Sequence, residues 1–334
     1  MKLLITPDFG LSDIWHLNYP LKNYLSQELK LGRFPLWTDM VGNGYPVAAE
    51  GQIGSFSIWN WLFFGFLPMP LAFMATLLSV FLIAGAGIYF YLREISLKRH
   101  ESIVGSVVAV TNGYFIAHMT HLNLLQSFAL IPWALLIVEK FAKRSGIKYL
   151  LWLGMVFAQM ILVGYPQTFI NTFLMMGLYL LARKTKIIKV IVGLLLSFLV
   201  VMSLSAVQLF PLIELASQSD TSGAAARQRF IHPLSIKHLL TFLGPYIFGD
   251  PSRGTYPIYS GDWGIFWENI LFVGTVPIVG IAYLLFSKLK FLRGIKTGGL
   301  WIVLVASLLL ALGKNAPTRV LFRISPLSFT RVCS

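Results

Sequence analysis

The chain has 334 residues, of which 56% are hydrophobic and only 12% charged, with a formal net charge of +14. A mean hydropathy of +0.72 with so few charges excludes an ordinary soluble domain, where about 25% of residues are charged, and predicts an all-α, polytopic membrane protein. The single cysteine, Cys333, excludes an internal disulfide framework.

In chain order, residues 1–70 are predicted to form a first extracytoplasmic loop. Only Leu3, Leu4 and Ile5 separate Met1-Lys2 from the Thr6-Pro7 pair, too little for a signal-peptide core or a span, so an outside placement implies either a further helix ahead of this loop, the favoured reading, or translocation by the 71–92 helix alone. Leu21, Leu25, Leu29 and Leu31 among polar residues predict an amphipathic interfacial helix over 21–31. Residues 53–67, with Trp59 and Trp61 and ended by Pro68 and Pro70, predict a second one at aromatic-belt depth. Six spans are read at 71–92, 103–118, 122–139, 149–164, 168–182 and 189–212. A second outer loop covers 213–267, and two more spans cover 268–287 and 298–313, eight in all. Residues 314–334 form an outer tail without a closing element, so the chain reads as part of something longer, built as a single transmembrane domain over 1–334.

Charge sets the orientation. Arg93, Lys98 and Arg99 follow the first span, Lys140, Lys143, Arg144 and Lys148 the third, Arg183, Lys184, Lys186 and Lys189 the fifth, and Lys288, Lys290, Arg293 and Lys296 the seventh. These four short loops hold more than half of the 27 Lys and Arg, while the turns at His121 and at Gly164-Tyr165-Pro166-Gln167 hold none. The positive-inside rule therefore puts the basic loops in the cytoplasm and all six aspartates (Asp8, Asp13, Asp39, Asp220, Asp250 and Asp262) outside. The basic balance is thus a topology signal and predicts no nucleic-acid partner, since the cytoplasmic loops are too short for a binding domain.

The outer face carries the candidate chemistry. Asp8 and Asp13 lie where a preceding helix would leave the membrane; each either acts as a general base, or holds a divalent cation against a phosphate, or is a solvated loop acid. His118 and His121 flank a short turn near Asn123 and Gln126, and either bind a phosphate and shuttle protons or cap helix ends. In the 213–267 loop, Arg229 and Arg253 run against the topology bias and suit an anionic headgroup or phosphate, or are plain surface charges. Glu268 opens the following span, and Tyr256, Tyr259, Trp263 and Trp267 suit either sugar stacking or an interfacial belt. Neither zinc-ligand spacing nor a Gly-rich phosphate loop occurs, which argues against soluble nucleotide chemistry.

Taken together, Ser12-Asp13-Ile14-Trp15-His16-Leu17-Asn18-Tyr19-Pro20, Leu31-Gly32-Arg33-Phe34-Pro35-Leu36-Trp37 and Gly42-Asn43-Gly44-Tyr45-Pro46 resemble the first outer loop of the YfhO family of bacterial membrane proteins, glycosyltransferases of the GT-C type. The likeness continues through Ala117-His118-Met119-Thr120-His121 to Gln126, Pro132-Trp133, Gly164-Tyr165-Pro166-Gln167, Gln208-Leu209-Phe210-Pro211, Glu214, Pro245, Tyr259-Ser260-Gly261 and Trp267-Glu268, and so follows nearly the whole chain in order. The resemblance implies a multi-pass cytoplasmic-membrane enzyme that takes a sugar from a polyprenyl-phosphate carrier on the extracytoplasmic face and delivers it to an envelope polymer or lipid. It implies Asp13 as the central acidic residue, with Asp8 second, and His118, His121, Gln167, Arg229, Arg253 and Glu268 as the groups that hold donor phosphate or sugar. No cofactor is assigned with certainty, and a divalent cation stays open. The alternatives are a transporter or lipid flippase, which would ordinarily carry ionisable groups or broken helices at the membrane midplane, and a noncatalytic partner in envelope assembly.

Overall fold

The computed structural model describes residues 14–218, 234–257, 266–286 and 304–309. Every regular element among them is helical, and the only bridge pair outside helices joins Thr38 to Tyr45. A π-helical turn, Ile14–Asn18, leads into α1 (Tyr19–Lys30), where Pro20 occupies the first turn and so removes a donor that has no helical partner there. The helix buries Leu25 and ends at Leu31-Gly32, Gly32 taking a φ of 69° that suits glycine. Its extent agrees with the helix expected over 21–31. The Thr38–Tyr45 hairpin turns through Gly42 and Gly44, and a side chain on Gly44 would collide with the Trp37 ring. Two short helices follow, α2 (Val47–Glu50) and α3 (Ile58–Phe64), the latter capped by the Ser57 side chain. The helix expected over 53–67 is therefore present but shorter, because Gly54 and the Ser55–Ser57 turn occupy its first third.

Among the described residues, three helices are long and apolar enough to cross a membrane: α4 (Met69–Glu94), the run Leu122–Arg144, and α11 (Ile187–Gln218). The middle one consists of α7 (Leu122–Phe128) and α8 (Ile131–Arg144), which join through a turn at Ala129-Leu130 that stays right-handed α while Pro132 withholds its backbone donor. Only 28% of the most apolar stretch is buried in both α4 and α11. Leu78, Leu82, Leu195 and Leu199 are each more than half exposed. Such surfaces belong in hydrocarbon rather than water, so the chain is a membrane protein.

The remaining expected spans appear as shorter helices. Residues 103–118 divide into α5 (Arg99–Val110) and α6 (Gly113–Ala117), because Asn112 accepts from the Phe115 backbone N–H at 3.0 Å and starts a new helix. The spans at 149–164 and 168–182 correspond to α9 (Ile147–Leu162) and α10 (Pro166–Ala182). The span expected from 268 starts later, as α12 (Thr275–Phe286). The Phe272 carbonyl accepts from the Gly113 N–H at 2.7 Å, and Gly274 has a φ of 102°, so the backbone ahead of Thr275 is not helical. Of the last expected span, 298–313, residues 304–309 are described and are helical.

The chain forms two compact units. Unit 1 comprises 1–91, 118–173 and 191–219, and its described core packs α9 against α8 and a ring cluster of Phe157, Phe169, Phe173 and Phe198. Gly154 permits close helix contact there, since a side chain would lie 2.5 Å from Val200. Unit 2 comprises 92–117, 174–190 and 220–334.

Candidate functional site

The first loop of unit 1 has little regular structure, so its buried carbonyls must find side-chain donors. Its neighbours supply them. Lys22 Nζ donates to the Ile53 carbonyl at 2.6 Å, Asn60 Nδ2 to Gly54 at 3.1 Å, Trp61 Nε1 to Ser55 at 2.6 Å, and Gln208 Nε2 to Ala48 at 2.8 Å. Gln126 Nε2 donates to Asn60 Oδ1 at 2.9 Å and Gln159 Nε2 to Ser57 Oγ at 2.7 Å, tying the loop to α7 and α9. Asn123 Nδ2 reaches the Gly164 carbonyl at 3.4 Å. Amides on what sequence alone treats as spans thus act as clamps on the first loop.

Gly164 is where the backbones touch. Its φ is 94°, and a Cβ there would collide with the Gly51 carbonyl oxygen and stand 2.8 Å from Gln52 Cα. Gly164→Ala is expected to cost about 2–3 kcal/mol, combining left-handed strain with displacement of the loop, and to lower the thermal midpoint of the purified protein. An unchanged midpoint would contradict this close approach.

Lys22 is wholly buried with Leu25, Val47, Ile53 and Phe64, its Nζ 5.3 Å from the Phe64 ring centre. Burial pushes its ammonium down from the usual lysine range to about 7. It is the most perturbed cation on the described part of the loop, and spacing gave no hint of it, since Lys22 sits among polar residues of an amphipathic pattern.

His118 and His121 come together as the sequence suggested. Their ring centres are 5.4 Å apart, His118 is fully buried, and Thr120 Oγ1 lies 3.2 Å from His121 Nδ1. Asn18 Nδ2 donates to the Thr120 carbonyl at 3.4 Å, which joins the start of α1 to this histidine turn. Asp13 and Asp8 lie outside the described residues, as does Arg229.

Gln167 lies elsewhere in unit 1, on the wall of a cavity of about 270 Å³. Glu50, Gln52, Tyr165, Gln208 and Leu212 share that wall. Burial raises the Glu50 carboxyl above the usual carboxylate range, opposed by the Gln52 backbone N–H, which donates to Oε2 at 2.9 Å. Gln208 is 1% exposed; with Nε2 committed to Ala48, its Oε1 is buried and without a hydrogen-bond partner among the described residues.

Arg253 and Glu268 belong to unit 2. Arg253 ends the short 3-10 helix Pro251–Arg253, is largely exposed, and has Nε 3.7 Å from Asp250 Oδ2. The Ser252 hydroxyl, donating to Asp250 Oδ1 at 2.7 Å, holds that carboxyl below its usual range, with the Ser252 N–H and Arg253 adding to the effect. Glu268 lies in Trp267–Asn269, beside the buried Asn269 whose Nδ2 is 3.4 Å from the Tyr256 hydroxyl. Nearby Thr241 Oγ1 is 2.9 Å from the Asn269 carbonyl, and His238, fully buried edge-on to Phe248, is held below the usual histidine range by burial and then by Lys237.

No protein family, curated protein or solved structure matches the chain. For the predicted site residues that are described, position is all that the structure gives. His118 and His121 are together, Gln167 shares a cavity with two groups the sequence reading passed over, Glu50 and Gln208, and Arg253 and Glu268 sit in the second unit. Among the described residues no group of three or more His, Cys, Asp or Glu side chains is placed to hold a metal ion.

Proposed function

We propose that the protein is a YfhO-like, GT-C-type membrane glycosyltransferase of about eight spans, which moves a sugar from a polyprenyl-phosphate carrier to a cell-envelope polymer or lipid on the extracytoplasmic face of the cytoplasmic membrane. One observation carries this reading. Three segments that resemble the family, at 117–126, 164–167 and 208–211, converge through the Asn123–Gly164 hydrogen bond and through the bonds of Gln126 to Asn60 and Gln208 to Ala48 in the first loop. A docked loop beside apolar helices suits a donor whose isoprenoid stays in lipid and whose sugar phosphate stays in water.

In this mechanism Asp13, backed by Asp8, takes the proton of the acceptor hydroxyl as its oxygen attacks the anomeric carbon. The bond to the carrier phosphate breaks, and His118 and His121 stabilise the departing phosphate, while Gln167 contacts donor groups. No step is routed through a metal ion.

Sealed vesicles of both orientations test the reading with carrier-linked radiolabelled sugar. Label is expected in an envelope acceptor only when donor and acceptor meet on the extracytoplasmic side. Label that accumulates inside vesicles while still carrier-linked or free would favour the transporter reading instead.

A further inference from the structure

Where α8 meets α9, charge and apolar surface adjoin. Over residues 131–162 the cations Lys140, Lys143, Arg144 and Lys148 are accompanied by one acid, Glu139, which is fully buried and 3.3 Å from Lys143. Arg144 and Lys148 are exposed. α8 ends at Arg144 and α9 begins at Ile147, joined by Ser145 and Gly146 with φ of 53° and 136°, and the two helices pack together, so both cations lie at the same end of the pair. Only one side of α9 is buried. That side carries Leu150, Gly154 and Phe157, with Gly154 close against Val200 and the Leu150 carbonyl accepting from Ser197 Oγ of α11 at 3.4 Å. On the other side Ile147, Leu151 and Met155, at i, i+4 and i+8, form an exposed ridge, and Trp152, one turn beyond Lys148, is exposed beside it.

The cations and the ridge together select an amphiphile. An inorganic anion would engage Arg144 and Lys148 and leave Ile147 and Trp152, 66% and 59% exposed, in water, whereas an uncharged lipid would engage the ridge alone. From Ile147 to Met155 the ridge is roughly 12 Å long at 1.5 Å per residue, most of the ~15 Å that one leaflet contributes to the hydrocarbon layer. A second copy of the same face, related by a twofold axis along the membrane normal, would set these cations against their own kind. We propose that the α8–α9 joint binds an anionic phospholipid. Arg144 and Lys148 pair with the headgroup, Trp152 lies at the interfacial depth where tryptophan collects, and an acyl chain runs along Ile147, Leu151 and Met155. The site requires a membrane protein and is independent of sugar transfer.

The test uses the full chain, stripped of lipid in detergent and titrated with phosphatidylglycerol or phosphatidylcholine, with inorganic phosphate as competitor and bound lipid counted by native mass spectrometry. Phosphatidylglycerol is expected to bind more tightly than phosphatidylcholine, and Arg144→Gln/Lys148→Gln should weaken it about tenfold or more while leaving phosphatidylcholine unchanged. Leu151→Gln/Met155→Gln, with both cations in place, should weaken phosphatidylglycerol as well, and it decides the matter if the charge variant does not fold. Lys184→Gln/Lys186→Gln, which removes two exposed cations between α10 and α11, should bind phosphatidylglycerol as the wild type does. Equal affinity of the wild type for the two lipids, undiminished phosphatidylglycerol binding by either α8–α9 variant, or an equal loss in the 184/186 variant would overturn the site. Displacement of phosphatidylglycerol by inorganic phosphate would overturn it too, because the cations alone would then account for binding.

Discussion

Asp13→Ala is expected to abolish sugar transfer while the protein remains folded and membrane-inserted. Removing a general base costs about 10²- to 10⁴-fold in rate, and Asp13→Asn, which preserves shape and loses the charge, should be equally inactive. Asp13 immediately precedes the Ile14–Asn18 turn, whose Asn18 binds the Thr120 carbonyl beside His121. The variant and wild type should share a thermal midpoint, since Asp13 is assigned chemistry rather than packing. Full transfer by Asp13→Ala in membranes supplied with carrier-linked sugar would refute its role.

Lys22 gives the second large effect, on stability. Its ammonium titrates near 7 in the folded protein, against 10.5 ordinarily. Between those values the unfolded chain binds more protons than the folded one, so stability rises with pH from about 7 toward 10.5 and is lowest at and below neutrality. At about 1.4 kcal/mol per unit, the full span corresponds to roughly 5 kcal/mol, an upper bound because water penetration and relaxation reduce burial penalties. Thermal unfolding followed from pH 6.5 to pH 9.5 should show the midpoint climb. Lys22→Met removes the titrating group and should flatten that slope, although the Ile53 carbonyl then loses its 2.6 Å donor. A variant that retains the same rise would show that the pH dependence originates elsewhere.

The apolar helices were legible because length and composition alone decide whether a segment suits hydrocarbon, and α4 and α11 follow the expected spans at 71–92 and 189–212 closely. The amphipathic α1 was legible for a similar reason, since a 3.6-residue period needs no tertiary partner. Breaks within expected spans were not. The division between α5 and α6 depends on the Asn112 side chain capturing a local N–H, and the late start of α12 depends on a contact from Gly113 to Phe272, about 160 residues away.

The candidate site divides along the same line. His118 and His121 are three apart in sequence, and their proximity could be read from spacing. The clamping role of Gln126, Gln159 and Gln208 was not legible, because the loop carbonyls and hydroxyl they bind come from residues 48–60. Glu50 and Lys22 escaped notice because each owes its perturbation to burial by distant segments, which no local pattern encodes. The fully buried Glu139, 3.3 Å from Lys143, is likewise an ion pair whose burial its helical i,i+4 spacing does not reveal.

The central claim is transfer from a lipid carrier, and the purified full chain in lipid nanodiscs with a polyprenyl-phosphate-linked radiolabelled sugar and an envelope acceptor tests it most directly. The account predicts that label leaves the carrier and appears covalently bound to the acceptor, with polyprenyl phosphate released in equal amount. Label that stays on an intact carrier, under conditions where the protein is folded and the acceptor is present, would contradict it.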